Sequence, residues 1–310
     1  MRCRSIRPMM SKPAATVMLI MVVWIAVGTH QCAAQVPSAA AATTLPVRTP
    51  DDSRALATQS SREQRARAVA TLPMERLTVA AKQRIASIVD RPTLYRHLPS
   101  QTLDCDPELF LFIARQPEVL VGIWEVMGIT QVRTERLDEY RLQAKDGAGT
   151  NCTIDLVYGD RATHVYVADG YYDGKLVASR LTGKGVFILH TQYVPQADGL
   201  VQVEGSLDCF IQLDNLGADL IARTFGPLIG RTADNNFGET ARFIDQIGLT
   251  ARKNPEGLQE LGSRLPQVDE TTRQRFVQTV VNVDRRNLER IESRSFTRAA
   301  ERSGEGLSLR

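Results

Sequence analysis

LVQVEGSLDCFIQLDN, residues 200–215, is the stretch whose reading decides the fold. Val201, Val203, Leu207, Cys209, Ile211 and Leu213 fall on one side of an extended chain. Gln202, Glu204, Ser206, Asp208 and Gln212 fall on the other. Side chains alternate along a strand with a period of two, so this pattern predicts an antiparallel strand with one buried and one polar face. Asp214-Asn215 closes it, and an apolar helical pattern starts near Leu216, with Leu220, Ile221, Phe225 and Leu228 as its first stripe. Pro227 and Gly230 predict a kink or break there. Asn236 and Glu239 then have capping-box spacing, and Phe243, Ile244 and Ile247 renew the stripe.

Working upstream, more strand signals precede this one. Val186 to Val194 is strongly apolar. Ile154 to Tyr158 and Thr163 to Val167 flank Gly159-Asp160, a hairpin turn. Thr130 to Glu135 and Glu139 to Lys145 read as two further strands. Before them stand two short helices. Asp106-Pro107 pairs an N-cap with proline at the first helical position, followed by Leu109, Phe110, Phe112 and Ile113. Gln116-Pro117 opens the second, with Val119, Leu120, Ile123, Trp124 and Met127, and Gly128 stops it. The expected fold class is therefore α+β: an antiparallel sheet wrapped around a long C-terminal helix, with flanking helices.

The flanks say where the protein works. Arg2, Arg4, Arg7 and Lys12 precede an apolar stretch from Ala14 to Val27 and a small-residue site at Cys32-Ala33-Ala34. This is the pattern of a secretory signal over residues 1–34, and the apolar run falls short of the ~20 residues of a membrane span. The expected location is periplasmic or secreted, with an uncleaved N-terminal membrane anchor as the alternative. Residues 35–60, rich in Ala, Thr, Pro and Ser, read as a flexible linker. Residues 61–90 read as a helical flank, with Leu77, Ala81, Ile85 and Ile88 on one stripe, ended by Arg91-Pro92. After the central domain, residues 91–252, the segment 253–310 is expected to be helical around Phe276, Val277, Val280 and Val281 and disordered from Arg294. With cleavage after Ala34, Cys105, Cys152 and Cys209 remain, and they read as small buried hydrophobes, one pair of which could form a disulfide. A formal charge of +3 on 310 residues is too small to imply a nucleic-acid partner.

The order of elements resembles the helix-grip fold of the START-like superfamily, which includes Bet v 1-like proteins and polyketide cyclases. The resemblance is carried by Leu103-Asp104-Cys105-Asp106-Pro107-Glu108-Leu109-Phe110 as first strand into first helix, by Val119 to Gly128, and by Leu216 to Ile247 as the gripping helix. It covers about half of the chain. Pro227 and the flanking segments depart from the pattern. The resemblance implies a hydrophobic pocket between sheet and helix that takes a lipid or another hydrophobic small molecule.

Motifs of catalysis are mostly absent. The chain has no Gly-rich phosphate loop, no Gly-x-Ser-x-Gly elbow and no His-Glu-x-x-His, and nothing points to a cofactor or a metal. Asp169-Gly170-Tyr171-Tyr172-Asp173-Gly174 reads as a hairpin turn rather than a calcium loop. The candidate ligand-binding residues are Trp124, Tyr158, His164, Tyr166, His190, Tyr193 and Phe225. Tyrosines suit an amphipathic ligand. If their strands share a sheet, His164 and His190 could line one cavity and do acid–base work. Arg223, Arg231, Asp234, Asn235 and Asn236 crowd the last helix and read as surface pairs or as a polar plug for one end of the pocket. The expected function is non-catalytic binding or transfer of a lipid or other hydrophobic small molecule in the cell envelope, with a membrane surface or an envelope protein as a further expected contact. The alternatives are an envelope scaffold with a filled core, and a cyclase- or hydrolase-type enzyme using a pocket histidine.

Overall fold

The structure is a computed structural model that describes residues 61–174, 179–214 and 226–305, of which 226–232 and 296–305 are described by their backbone. The expected signal, linker and the residues Phe225 and Arg223 lie outside the described residues. None of the described helices is long and apolar enough to cross a membrane.

Helix α1 covers residues 61–70 and α2 covers Val79–Val89, separated by a break at Pro73 and a single 3-10 turn. The helical flank thus consists of two helices, because proline there cannot continue the first. Thr78 caps α2, its hydroxyl accepting from the Ala81 N–H at 3.2 Å. Strand β1 is Leu94–Leu103, α3 is Pro107–Arg115 and α4 is Pro117–Val126. Both helices begin with proline, and the Asp106 carboxylate caps α3 by accepting from the Glu108 and Leu109 N–H groups. Then come β2 (Arg133–Asp138), β3 (Arg141–Lys145), β4 (Thr150–Gly159), β5 (Thr163–Tyr172), β6 (Leu181–Pro195) and β7 (Val201–Leu213). Helices α5 (Gly226–Lys253), α6 (Pro255–Ser263) and α7 (Glu270–Glu305) complete the described chain.

The seven strands form one antiparallel sheet in the order β1-β7-β6-β5-β4-β3-β2. The chain that left the sheet through α3 and α4 returns at the far edge, and the meander closes back onto β1. Bulges between Leu98 and Gln101, Arg136 and Asp138, and Leu156 and Tyr158 bend it. Pro99 sits in the first of these, on an edge strand, where a missing N–H costs no ladder bond. Helix α5 lies in the concave face, its Ala241, Ile244, Ile247 and Ala251 buried there. Its approach is close: a Cβ on Gly248 would stand 2.7 Å from the Asp104 carbonyl oxygen. The Asp245 carboxylate accepts the Asp104 N–H at 2.7 Å, fixing the helix to the end of β1.

Both faces of the sheet are covered. On the convex face Val165, Val167, Val186, Ile188 and Phe210 pack beneath Leu72, Leu77, Ala81, Ile85 and Ile88 of the N-terminal helices. Arg84 secures this layer, donating to Asp155 and Asp169 at 2.6 Å each. The strand β7 expected to be polar outside therefore buries Phe210 there.

Several expectations are corrected. The Asp169–Tyr172 stretch is strand, not turn, and it continues β5. Asn236 and Glu239 lie inside α5, so they start no helix; Pro227 stands in its first turn, and residues 215–225 before it lie outside the described residues. The C-terminal segment is no tail: Leu258, Leu265, Phe276, Val280 and Val283 join the same core as α3 and α4. Helix α7 also runs through Glu305, beyond Arg294, over a stretch of Arg, Glu, Ala and Ser in which strong helix formers predominate. Cys105, Cys152 and Cys209 are buried and free, and burial pushes the Cys152 thiol up to about 12.

Candidate functional site

The concave face and α5 do not fill the space between them. A cavity of about 140 Å³ remains, walled by the sheet on one side and by α3, α4 and α5 on the other. From the sheet come Leu103, Ile154, Tyr166, Phe187, Leu189 and Leu207. From the helices come Phe110, Ile113, Val121, Trp124, Phe237 and Ile244. The walls are set by alternation: β5 turns Tyr166 inward between the outward Val165 and Val167. Gly205 leaves β7 without a side chain at the cavity, where a Cβ would meet nothing nearer than 3.9 Å.

Polar groups are few. Gln101 is turned inward just after the β1 bulge, and its amide donates back to the Pro99 and Ser100 carbonyls at 3.3 and 3.2 Å. Thr240 faces it from α5. The Tyr166 hydroxyl is already used, donating to the Ala114 carbonyl at 2.7 Å, and burial raises its pKa. Trp124 is both core and wall, buried and tilted against Phe243 with ring centroids 5.7 Å apart. Such a site excludes water and holds apolar surface, with one or two neutral groups to orient it.

Of the residues expected to bind ligand, the structure brings Trp124 and Tyr166 to the cavity wall. It does not bring the two histidines together. Thr163 stands opposite His190 and His164 opposite Leu189, so His164 faces the concave side and His190 the convex one. One residue of register separates them, and that reverses the side-chain direction.

His164 lies on the concave side, fully buried. Its Nε2 accepts from Arg115 Nε at 3.2 Å, which places the ring proton on Nδ1, and that N–H has no acceptor. Burial, with the Arg115 charge second, lowers its pKa to about 4. The ring stacks near Tyr166, centroids 6.4 Å apart. Tyr193 is on the concave side but outside the cavity wall, its hydroxyl donating to the Arg161 carbonyl at 2.9 Å under the Arg161 guanidinium. Tyr158 is convex, accepting from Arg76 at 2.9 Å and donating to Asp160 at 2.6 Å.

His190 belongs to a cluster that the sequence did not single out. The buried Asp208 carboxylate accepts from the Tyr95 hydroxyl at 2.7 Å and pairs with His97 Nδ1 at 2.9 Å and His190 Nε2 at 3.3 Å. The Thr71 hydroxyl, after α1, is 3.5 Å from the same His190 nitrogen. Burial alone would raise the Asp208 pKa, but the bonds from His190, Tyr95 and His97 hold it below the ordinary range. The spacing of His97, His190 and Asp208 across three strands carries no local signal. Among the described residues no group of three His, Cys, Asp or Glu side chains is set to hold a metal ion. The expected polar plug on α5 is also reassigned: Asp234 pairs with Arg96 of β1, while the Arg231 side chain lies outside the described residues.

No family model and no curated protein matches the sequence. Solved structures do. Ara h 8.0201 is 13% identical over 49% of this chain and 98% of its own, with a TM-score of 0.30. Norcoclaurine synthase from Thalictrum flavum is 13% identical over 50% of this chain and 87% of its own, with a TM-score of 0.32. A conserved protein from Geobacillus kaustophilus is 12% identical over 49% and 96%, with a TM-score of 0.32. In strand order and in the helix its sheet grips, the chain has a helix-grip α+β fold.

Proposed function

We propose that the protein binds a hydrophobic small molecule, lipid or otherwise, in the cavity between the sheet and α5, and acts as a non-catalytic binding or transfer protein outside the cytoplasm. The observation that carries this reading is the apolar cavity itself. Its volume is close to the roughly 150 Å³ of an apolar cavity that stays dry and accepts one aromatic ring. The cavity therefore suits a ring or a short length of alkyl chain. Export is supported by the N-terminal charge and hydropathy pattern.

A pocket enzyme has less support. No lining side chain is an ionisable group that titrates near neutrality, and His164 stays neutral there behind its bond from Arg115. The test is native mass spectrometry of protein purified from its own compartment, with solvent extraction of what is released, and titration with an apolar fluorescent probe. Bound apolar ligand, or saturable probe binding that raises Tm, is the expected result. An empty protein that no apolar probe stabilises would return the choice to a scaffold with a filled core.

A further inference from the structure

A second cleft, of about 330 Å³, opens where the start of α3, the end of α5 and the flank of α7 meet the turns before β5 and β7. Four arginines reach it from three parts of the chain: Arg161 in the β4–β5 turn, Arg252 in the last turn of α5, and Arg286 and Arg290 on α7. Two are neutralised at the site. Arg161 pairs with Glu108 at 2.9 Å, and Arg286 with Asp106 at 2.8 Å. Asp106 is also the cap of α3, so its oxygens are fully engaged.

The other two are not neutralised. Among the described residues neither Arg252 nor Arg290 has a carboxylate partner. Arg290 donates to the Asp198 carbonyl at 3.1 Å and to Asn287 Oδ1 at 2.9 Å. Its Nε–H is buried and has no acceptor. A guanidinium stays charged at every pH the fold survives, and a buried donor without an acceptor is costly. Two uncompensated positive charges, an orphan N–H and the Asn287 amide thus share one concave space. The group that satisfies them is a compact anion with several acceptor oxygens, and the planar fork of arginine matches phosphate oxygens in pairs.

We propose that this cleft is a binding site for a phosphate-class oxyanion, free or as the ester headgroup of a lipid, held by Arg252 and Arg290. The site stands apart from the apolar cavity and does not depend on what fills it.

The test uses the full chain. Inorganic phosphate is titrated by calorimetry at low ionic strength, and in parallel vesicles of phosphatidylcholine alone or with phosphatidylglycerol are tested by co-sedimentation. Arg252→Gln removes one of the two free charges. Arg252→Lys keeps the charge and loses the fork. Arg285→Gln makes the same charge change on an exposed side chain of α7 outside the cleft. Saturable phosphate binding that weakens about tenfold or more in R252Q, less in R252K and not in R285Q, is expected for a free oxyanion. The same order of losses seen only with phosphatidylglycerol vesicles identifies a headgroup and equally supports the site. No saturable binding of either, or equal losses in R252Q and R285Q, would overturn it.

Discussion

Arg115 Nε donates to His164 Nε2 at 3.2 Å beneath the sheet, so a permanent cation is held against a fully buried imidazole. Burial first, and this cation second, take the His164 pKa down to about 4. In the unfolded chain the same ring takes up its proton near 6.5. Between those values the unfolded state binds more protons than the folded one, so stability rises with pH through the window and is lost as pH falls from about 6.5 towards 4. The loss attributable to this one ring is of the order of 3 kcal/mol. Urea unfolding from pH 7 to 4 is expected to show that slope, and His164→Gln to flatten it. A profile unchanged by the substitution would place the acid sensitivity elsewhere.

Gly205 faces the cavity, and a Cβ there would lie in ordinary contact with Leu189 and Phe110 at 3.9 and 4.0 Å. Gly205→Val puts a branched side chain into that space at a strand position that favours it. The variant is expected to lose binding of an apolar fluorescent probe by about tenfold or more while gaining about 0.5–1 kcal/mol of stability from the strand position. Trp124→Ala is the opposite case. It enlarges the cavity, removes the contact with Phe243 and is expected to cost about 3–5 kcal/mol. Probe binding that G205V leaves intact would mean that the probe sits elsewhere.

The two short helices and the inward face of β7 were legible because each is written locally, in first-turn residues and in alternation, and the gripped helix was legible in its stripe of Ile244 and Ile247. What was not legible is the second side of the sheet. Phe210 breaks the polar face of β7, and Val186 to Ile188 is apolar on both faces, which is the mark of a strand covered on both sides. The stripe Leu77, Ala81, Ile85 and Ile88 had no assigned partner, and the convex face is that partner. The site was half legible. Trp124 and Tyr166 sit on elements whose facing follows from the pattern. His164 and His190 needed the β5–β6 register, which no local signal in either strand supplies, and a shift of one residue decides which face a histidine takes.

Asp208 ties that convex layer together through Tyr95, His97 and His190, with Thr71 beside it. Its pKa is held below the usual 3.8, so the stabilisation it gives is present above that value and lost as pH falls through the folded pKa. Asp208→Ala leaves a half-buried tyrosine hydroxyl and two imidazoles short of an acceptor. The expected cost is about 3 kcal/mol. Amide exchange should rise first in residues 61–89, the helices packed over the cluster. Uniform acceleration across the chain would instead mean that the two layers open together.

Glu118 is the most deeply buried carboxylate described, 1% exposed at the start of α4. Arg136 of β2 donates its Nε to one oxygen at 2.9 Å and a second nitrogen to the other, and also reaches Gln116 at 2.8 Å. Burial nevertheless keeps the Glu118 pKa raised, with Arg136 only partly offsetting it. The pair thus fastens the outer edge of the sheet to α4 and so to one wall of the cavity, but the desolvation it carries means that it need not add net stability. Arg136→Met should cost about 3–5 kcal/mol by leaving the carboxylate buried alone. The double variant E118L/R136M should recover most of that loss in urea unfolding, since both charges are then gone. If the double variant is as unstable as the single one, the loss comes from the β2–β3 hairpin itself, and the ion pair is not what holds the edge of the sheet to α4.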